Sequence, residues 1–172
     1  MGIKLLGVSL SLLVISVAVI SAAADEKGKP LITKTCSGTE FPDVCTSTLE
    51  SDSRSLSADL KGLSRIALEL TAAKANDAAE VAYPLLQHAS GYETWAQLSG
   101  CFNGYNLSVS RIKGDGLQSF DEGKYDKAYQ TVDLLNKEVV HCSTFHIQEL
   151  AESNTLLSRF TTDVKTILHL LF

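Results

Sequence analysis

The sequence predicts an all-α protein, an up-down-up-down four-helix bundle carrying an N-terminal helical hairpin and two disulfides. Three observations lead there. Apolar residues recur at spacings of three and four over four long segments, with no strand-like alternation and no internal repeat. Aromatic residues make up only 7% of the chain, so its core must be built from aliphatic side chains and alanine. Four cysteines fall at positions where turns would bring them level in pairs. The 172 residues suffice for one ordinary domain and not for two.

Residues 1–24 read as a secretory leader. Lys4 supplies a positive start, Leu5 to Ile20 is almost wholly apolar, and Ala22-Ala23-Ala24 ends the run with small residues. Cleavage is expected after Ala24 or one residue earlier. The competing reading is an uncleaved signal anchor, but the run is short for a membrane span. Removing it takes away one lysine and no acidic residue, leaving 148 residues with net charge −6. Such a chain, acidic and without a basic block, is a poor nucleic-acid binder, because cationic side chains on phosphates supply most non-specific affinity. No second apolar run of membrane length follows, so no membrane association is expected once the leader is gone.

Residues 25–54 form an extension, expected to be short helices joined by a disulfide. Its two cysteines, Cys36 and Cys45, flank a midpoint at Glu40-Phe41, between Gly38 and Pro42, where the chain should turn. Residues 55–172 are assigned to the bundle. The first long segment begins near Leu56, with Ser55 or Ser57 as its cap and Leu60, Leu63, Ala67 and Leu70 on one stripe. Alanines at 72, 73, 75, 78 and 79 allow close approach of neighbours. Pro84 predicts a kink or an early end, and Gly91 closes the segment.

The second long segment places Leu98, Cys101 or Phe102, Tyr105, Val109 and Ile112 on one face. Gly114-Asp115-Gly116 should bend or stop this helix, which resumes to Phe120, since each glycine costs about 1 kcal/mol in a helix interior. The third repeats Tyr125, Ala128, Val132, Leu135, Val139 and Cys142, with Asp133 and Lys137 paired on the wet side. The fourth carries Leu156, Leu157, Phe160, Val164, Ile167, Leu168 and Leu171. Cys101 and Cys142 flank a midpoint at Asp121-Glu122, beside Gly123. A turn at each midpoint sets Cys36 beside Cys45 and Cys101 beside Cys142, as the short Cα separation of a disulfide requires.

No catalytic constellation appears: the nucleophile elbow, the zinc helix motif, the phosphate loop and the dinucleotide fingerprint are all missing from the sequence. His88 and His169 fall near helix C-termini, where the dipole favours a cation. His141 and His146 flank Cys142 without a further pair at metal-ligand spacing, so no metal or cofactor is expected. Asp121-Glu122 reads as a solvated turn. Asn106-Leu107-Ser108 is a glycosylation sequon on a helix, making Asn106 the candidate acceptor. The remaining pattern, a bridged acidic bundle without a nucleophile, points to binding: either a face that blocks another protein's cleft, or a core that holds an apolar ligand.

The chain resembles the plant invertase and pectin methylesterase inhibitor family over about residues 32–171. The resemblance rests on eight residues between Cys36 and Cys45 and forty between Cys101 and Cys142. It also rests on Asp59-Leu60-Lys61-Gly62-Leu63, on Cys101-Phe102-Asn103-Gly104-Tyr105, and on Gly123-Lys124-Tyr125-Asp126-Lys127-Ala128. The resemblance implies a hairpin on a four-helix bundle with disulfides paired first to second and third to fourth. It implies a non-enzymatic cell-wall inhibitor, monomeric when free, that forms a reversible one-to-one complex with pectin methylesterase. It implies coverage of the esterase cleft by a bundle face. An inhibitor of acid invertase, of the cell wall or the vacuole, is the alternative, followed by a non-inhibitory secreted bundle. Gly123-Lys124-Tyr125, without the proline seen in some invertase inhibitors, favours the esterase branch. Lys124, Tyr125 and His141 are the candidate target contacts. His141 stands where many relatives have threonine, and Pro84, Gly114 and Gly116 interrupt helices the family usually keeps continuous.

Overall fold

The computed structural model describes residues 26–172, so the leader assigned to residues 1–24 lies outside the described residues. Two short helices open the fold, α1 (Lys29–Cys36) and α2 (Pro42–Glu50). Each has a proline in its first turn, where the missing N–H would find no helical partner in any case. A 3₁₀ turn, Ser53–Leu56, leads to α3 (Leu60–Gln87). Then come α4 (Tyr92–Arg111), a π turn (Ile112–Gly116), α5 (Leu117–Asp121), α6 (Tyr125–Ser143), a 3₁₀ turn (Gln148–Leu150) and α7 (Ala151–His169). Helix α3 packs on α4, α4 on α6, α6 on α7, and α7 back on α3, which closes the four-helix ring. The second rod of the bundle is α4 continued through the π turn into α5.

The expected stripes form the core. Leu63, Ala67, Ala72, Ala75, Ala78, Ala79 and Ala82 of α3 are buried against Leu98, Cys101, Tyr105 and Ile112. Ala128, Val132, Leu135, Val139 and Cys142 face Leu157, Phe160, Val164, Ile167 and Leu168. Ala73 and Leu156 depart from expectation and face solvent, because each lies a step off its buried stripe. The cap of α3 also differs. Asp59, not Ser55 or Ser57, closes the helix, its carboxylate accepting the Gly62 N–H at 2.7 Å. A carboxylate there also meets the positive end of the helix dipole. Ser55 and Ser57 instead belong to or follow the 3₁₀ turn.

Pro84 does not stop the helix at once: α3 continues to Gln87. The proline is exposed and lies close to the helix end, so little helix depends on the bond it cannot donate. Gly114-Asp115-Gly116 does interrupt its helix, as a π turn rather than a break. Leu117 N–H reaches back to the Ile112 carbonyl, and α5 resumes. Gly116 is needed for close approach, since a Cβ there would lie 2.8 Å from Thr131 Oγ1 on α6. The following turn has Gly123 at φ 76°, with Lys124 N–H on the Ser119 carbonyl at 2.8 Å and Gly123 N–H on that of Phe120 at 3.0 Å. This is a Schellman ending, which selects glycine for its left-handed backbone.

Cys36 bonds to Cys45 and Cys101 to Cys142, each with Cα atoms 5.6 Å apart. The first bridge ties α1 to α2. The second locks α4 to α6 with both cysteines buried on the seam. The hairpin lies on α7 and α3. Its turn is held by Asp163 of α7, a fully buried carboxylate whose Oδ1 accepts the Phe41 N–H at 2.9 Å. The Arg159 guanidinium covers the Phe41 ring at 5.2 Å. Below the hairpin, Arg54 pairs with Asp52 and Glu69, and Arg65 pairs with Glu69 and Asp121. Asp121 and Glu122 are therefore not merely solvated: each accepts an ion pair, Glu122 from Lys124 at 2.6 Å.

Candidate functional site

Helix α6 carries all three expected target contacts, but at its two ends. Lys124 stands at the N-cap position, exposed, and its ammonium donates to Glu122 Oε2, which holds the Lys124 pKa above its ordinary value. Tyr125 is half-buried. Its ring meets Phe120 edge-on at 5.1 Å, and the Lys61 ammonium lies 6.0 Å above it. Its contacts close the lower end of the bundle. His141 is exposed near the opposite end and meets Phe145 edge-on at 4.9 Å. Sixteen residues of helix, roughly 24 Å, separate Tyr125 from His141. The structure therefore does not gather them into one site.

Between those ends runs a groove of about 460 Å³, formed where the π turn draws α5 against α6. Arg111 and Lys127 line it, with Asp115 and Glu122 as opposing charges and Gln130 and Leu134 on its α6 wall. Leu134 is 43% exposed, and Leu107, one helical turn before Arg111, is 50% exposed. The pair presents apolar surface among charged groups of both signs. The supports beneath are rigid: Gly104 brings α4 close to Glu138 of α6, and the Cys101–Cys142 bond lies less than one turn away. From the other side, Asp133 takes ammonium groups from Lys137 at 2.8 Å and Lys165 of α7 at 3.0 Å, which keep its carboxyl below the usual range. Asn136 Nδ2 donates to Thr161 Oγ1 at 2.6 Å. Helix α6 is thus held on both flanks.

The sequence reading missed Arg111, Asp115, Lys127 and Leu134. The only local signal was the glycine pair at 114 and 116, which announced an interruption without saying which face it opens. Asn106 is half-buried in α4, with Nδ2 donating to the Phe102 carbonyl at 2.9 Å, and Ser108 of the sequon is buried. Deeper in, Tyr105 donates to Asn154 Oδ1 at 2.6 Å, and burial pushes its phenol up to about 12. Among the described residues no three His, Cys, Asp or Glu side chains converge as a metal site, and no helix is long and apolar enough to cross a membrane.

This is a disulfide-braced helical bundle with a mixed-charge groove between α4, α5 and α6. The chain belongs to the family described as plant invertase/pectin methylesterase inhibitor, whose model matches residues 30–169. It is 29% identical over 120 residues to a pectinesterase inhibitor of Actinidia deliciosa, covering 69% of this chain and 64% of that one. It is 46% identical over 50 residues to pectinesterase inhibitor 28 of Oryza sativa subsp. japonica, 29% of this chain and 22% of that one. The chain thus spans less than two thirds of the length of these curated relatives. A crystal structure of a mutant form of a pectin methylesterase inhibitor from Arabidopsis shares the fold, with TM-score 0.68 and 13% identity over 80% of this chain and 95% of that one. A second Arabidopsis inhibitor structure superposes at TM-score 0.60, also at 13% identity, over 82% and 95%.

Proposed function

We propose that the protein inhibits a pectin methylesterase by laying the α4–α6 face over the enzyme's cleft in a reversible one-to-one complex, with residues 25–172 acting as one secreted inhibitor domain after loss of residues 1–24. The observation that carries this reading is the 120-residue alignment with a pectinesterase inhibitor. The geometry supports it. Leu107 and Leu134 are apolar anchors, and the charges of Arg111, Asp115 and Lys127 form a rim. A face held by a disulfide and two helix contacts loses little freedom on docking. No bond is made or broken by the inhibitor, and the chain is not an enzyme in this reading. Lys124 and Tyr125 would border the lower edge of the contact, and His141 the upper. Asn106 is proposed as a glycan acceptor modified before α4 packs.

The test is methanol release from methylated pectin across a panel of plant esterases. Stoichiometric oxidised protein should suppress it, and Leu134→Asp should weaken suppression by about tenfold or more while leaving the fold intact. Undiminished release at every mildly acidic pH would reject the proposal. Because the family description also covers invertase inhibitors, glucose release from sucrose by acid invertase is measured in parallel. Suppression there alone would transfer the same face to the other target.

A further inference from the structure

The outer face between α3 and α4 lies on a different side of the bundle from the α4–α6 groove and carries an unusual set of side chains. Tyr92, Trp95, Ser99, Phe102 and Asn103 follow one another at spacings of three and four or one, so they share a stripe of α4. Tyr83 of α3 meets the Phe102 ring at 5.4 Å, which places it beside that stripe. Tyr92 and Trp95 stack at 6.1 Å with planes inclined by 28°. Tyr92 is 82% exposed, Tyr83 50% and Trp95, the sole tryptophan, 48%. From Tyr92 to Phe102 the stripe runs about 15 Å, at 1.5 Å of rise per residue. Phe102 packs against the core, but Tyr83, Tyr92 and Trp95 hold large rings in water along the helix pair outside it, which marks an interaction surface.

Charge selects the partner. No lysine or arginine occurs from Ala75 to Ser110, while Asp77, Glu80 and Glu93 fall in the same stretch. Glu80 is engaged by Asn76 at 2.7 Å. A phosphate backbone, an anionic lipid surface and an acidic glycan would all meet these carboxylates with no lysine or arginine in the stretch to compensate them and His88 as its sole imidazole. The polar groups beside the rings are uncharged: Asn103 donates to the Ser99 hydroxyl at 3.3 Å, and that hydroxyl keeps its own proton to donate. Flat apolar rings with neutral amide and hydroxyl groups between them match a pyranose chain, which offers C–H faces and equatorial hydroxyls. We propose that the α3–α4 aromatic face binds an uncharged glycan chain, such as the methyl-esterified form of a uronan rather than its free acid. This site is separate from the α4–α6 face; only the choice of a uronan as the chain rests on the inhibitory reading.

Because Trp95 is the only tryptophan, its emission reports on this face alone. Titrating the intact protein with fully methyl-esterified hexagalacturonide should shift and saturate that emission, and de-esterified hexagalacturonide should bind roughly tenfold or more weakly. Tyr83→Ala and Tyr92→Ala, both exposed positions, should each weaken the esterified probe by several-fold with unchanged circular dichroism, while Leu134→Asp leaves it unaltered. Equal binding of the acid form, no saturable change with either probe, or equal loss in Leu134→Asp would overturn the assignment. An emission shift that depends on protein concentration without sugar, matched by a dimer in sedimentation, would overturn it in favour of a second copy of the chain.

Discussion

The bundle and the N-terminal hairpin are held by opposite kinds of interaction. The bundle closes on aliphatic and alanine side chains, and a buried polar pair across its helices, Tyr105 with Asn154, gives the phenol a partner. The hairpin has fewer apolar anchors, Leu31, Ile32, Val44 and Leu49 with its cystine, and it docks through a buried carboxylate. Asp163 Oδ2 has no hydrogen-bond partner. Burial pushes the Asp163 carboxyl above its ordinary pKa, and the Phe41 N–H offsets only part of that. Apolar burial is indifferent to pH, whereas a desolvated carboxylate is not. The hairpin therefore carries a pH dependence of opposite sign to that of the bundle's ion-paired carboxylates, Asp121 and Asp133, whose pKa values their cationic partners hold down.

The strongest way to test that contrast is to cut each bridge. The Cys101–Cys142 bond spans 41 positions and Cys36–Cys45 spans 9, so chain entropy assigns about 4 and about 3 kcal/mol. Replacing Cys101 and Cys142 by alanine should lower the melting temperature of the whole protein. Replacing Cys36 and Cys45 should leave bundle amides protected in hydrogen exchange while those of α1 and α2 exchange faster. Equal loss of protection everywhere in the second variant would erase the distinction between the two regions.

Next in size is Gly116→Val. Its Cβ would lie 2.8 Å from Thr131 Oγ1, a hydroxyl already donated to the Ala128 carbonyl at 2.7 Å. Forcing α5 away from α6 should cost about 1–3 kcal/mol in denaturant unfolding. It should also widen the groove lined by Arg111 and Leu134, so inhibition in the esterase assay should fall with stability.

The hairpin's own test is Asp163. Asp163→Ala leaves the Phe41 N–H without its acceptor and should cost about 1–3 kcal/mol, read as faster exchange at Phe41. Asp163→Asn keeps an oxygen for that N–H and separates charge from hydrogen bonding. The folded-state pKa is raised, so the protonated form favours docking. Stability from this group is fully present below the unfolded pKa and is lost as pH rises through the folded one. Hairpin protection should therefore decline with rising pH in the parent and stay flat in Asp163→Asn; identical pH profiles would refute the role given to this carboxylate.

The same division decides what was legible in the sequence. The bundle was legible because Leu98 to Ile112 and Ala128 to Cys142 repeat at helical spacing, and periodicity needs no knowledge of the partner helix. Asp163 was not. It lies three residues after Phe160, on the flank of an apolar stripe, where an aspartate ordinarily reads as wet. Its partner Phe41 is 122 positions away. Arg65 and Asp121, 56 positions apart, escaped for the same reason, so the Asp121-Glu122 pair looked merely solvated. The groove was half legible. Gly114 and Gly116 announced an interruption, but a π turn rotates the helix beyond it, and a rotation cannot be read from composition. The candidate contacts at 124, 125 and 141 came from the family's turn and cysteine neighbourhoods, and the sequence did not show that α6 sets them about 24 Å apart.

The smallest effect is also the cleanest comparison within the bundle. Gly114 sits in the same π turn as Gly116, but nothing lies within 4 Å of a Cβ placed there and its φ is not positive. Gly114→Ala thus removes unfolded-chain freedom without a clash and should stabilise by about 0.4–1 kcal/mol. Opposite signs at two glycines two residues apart would show that the turn is shaped by Thr131 and not by glycine flexibility. Destabilisation at both would mean that the π turn itself requires glycine at 114, and that α4 and α5 stay one rod only because the backbone there is unrestrained. In that case the α4–α6 groove would owe its shape to local backbone freedom, and the rigid part of the face would end at Arg111.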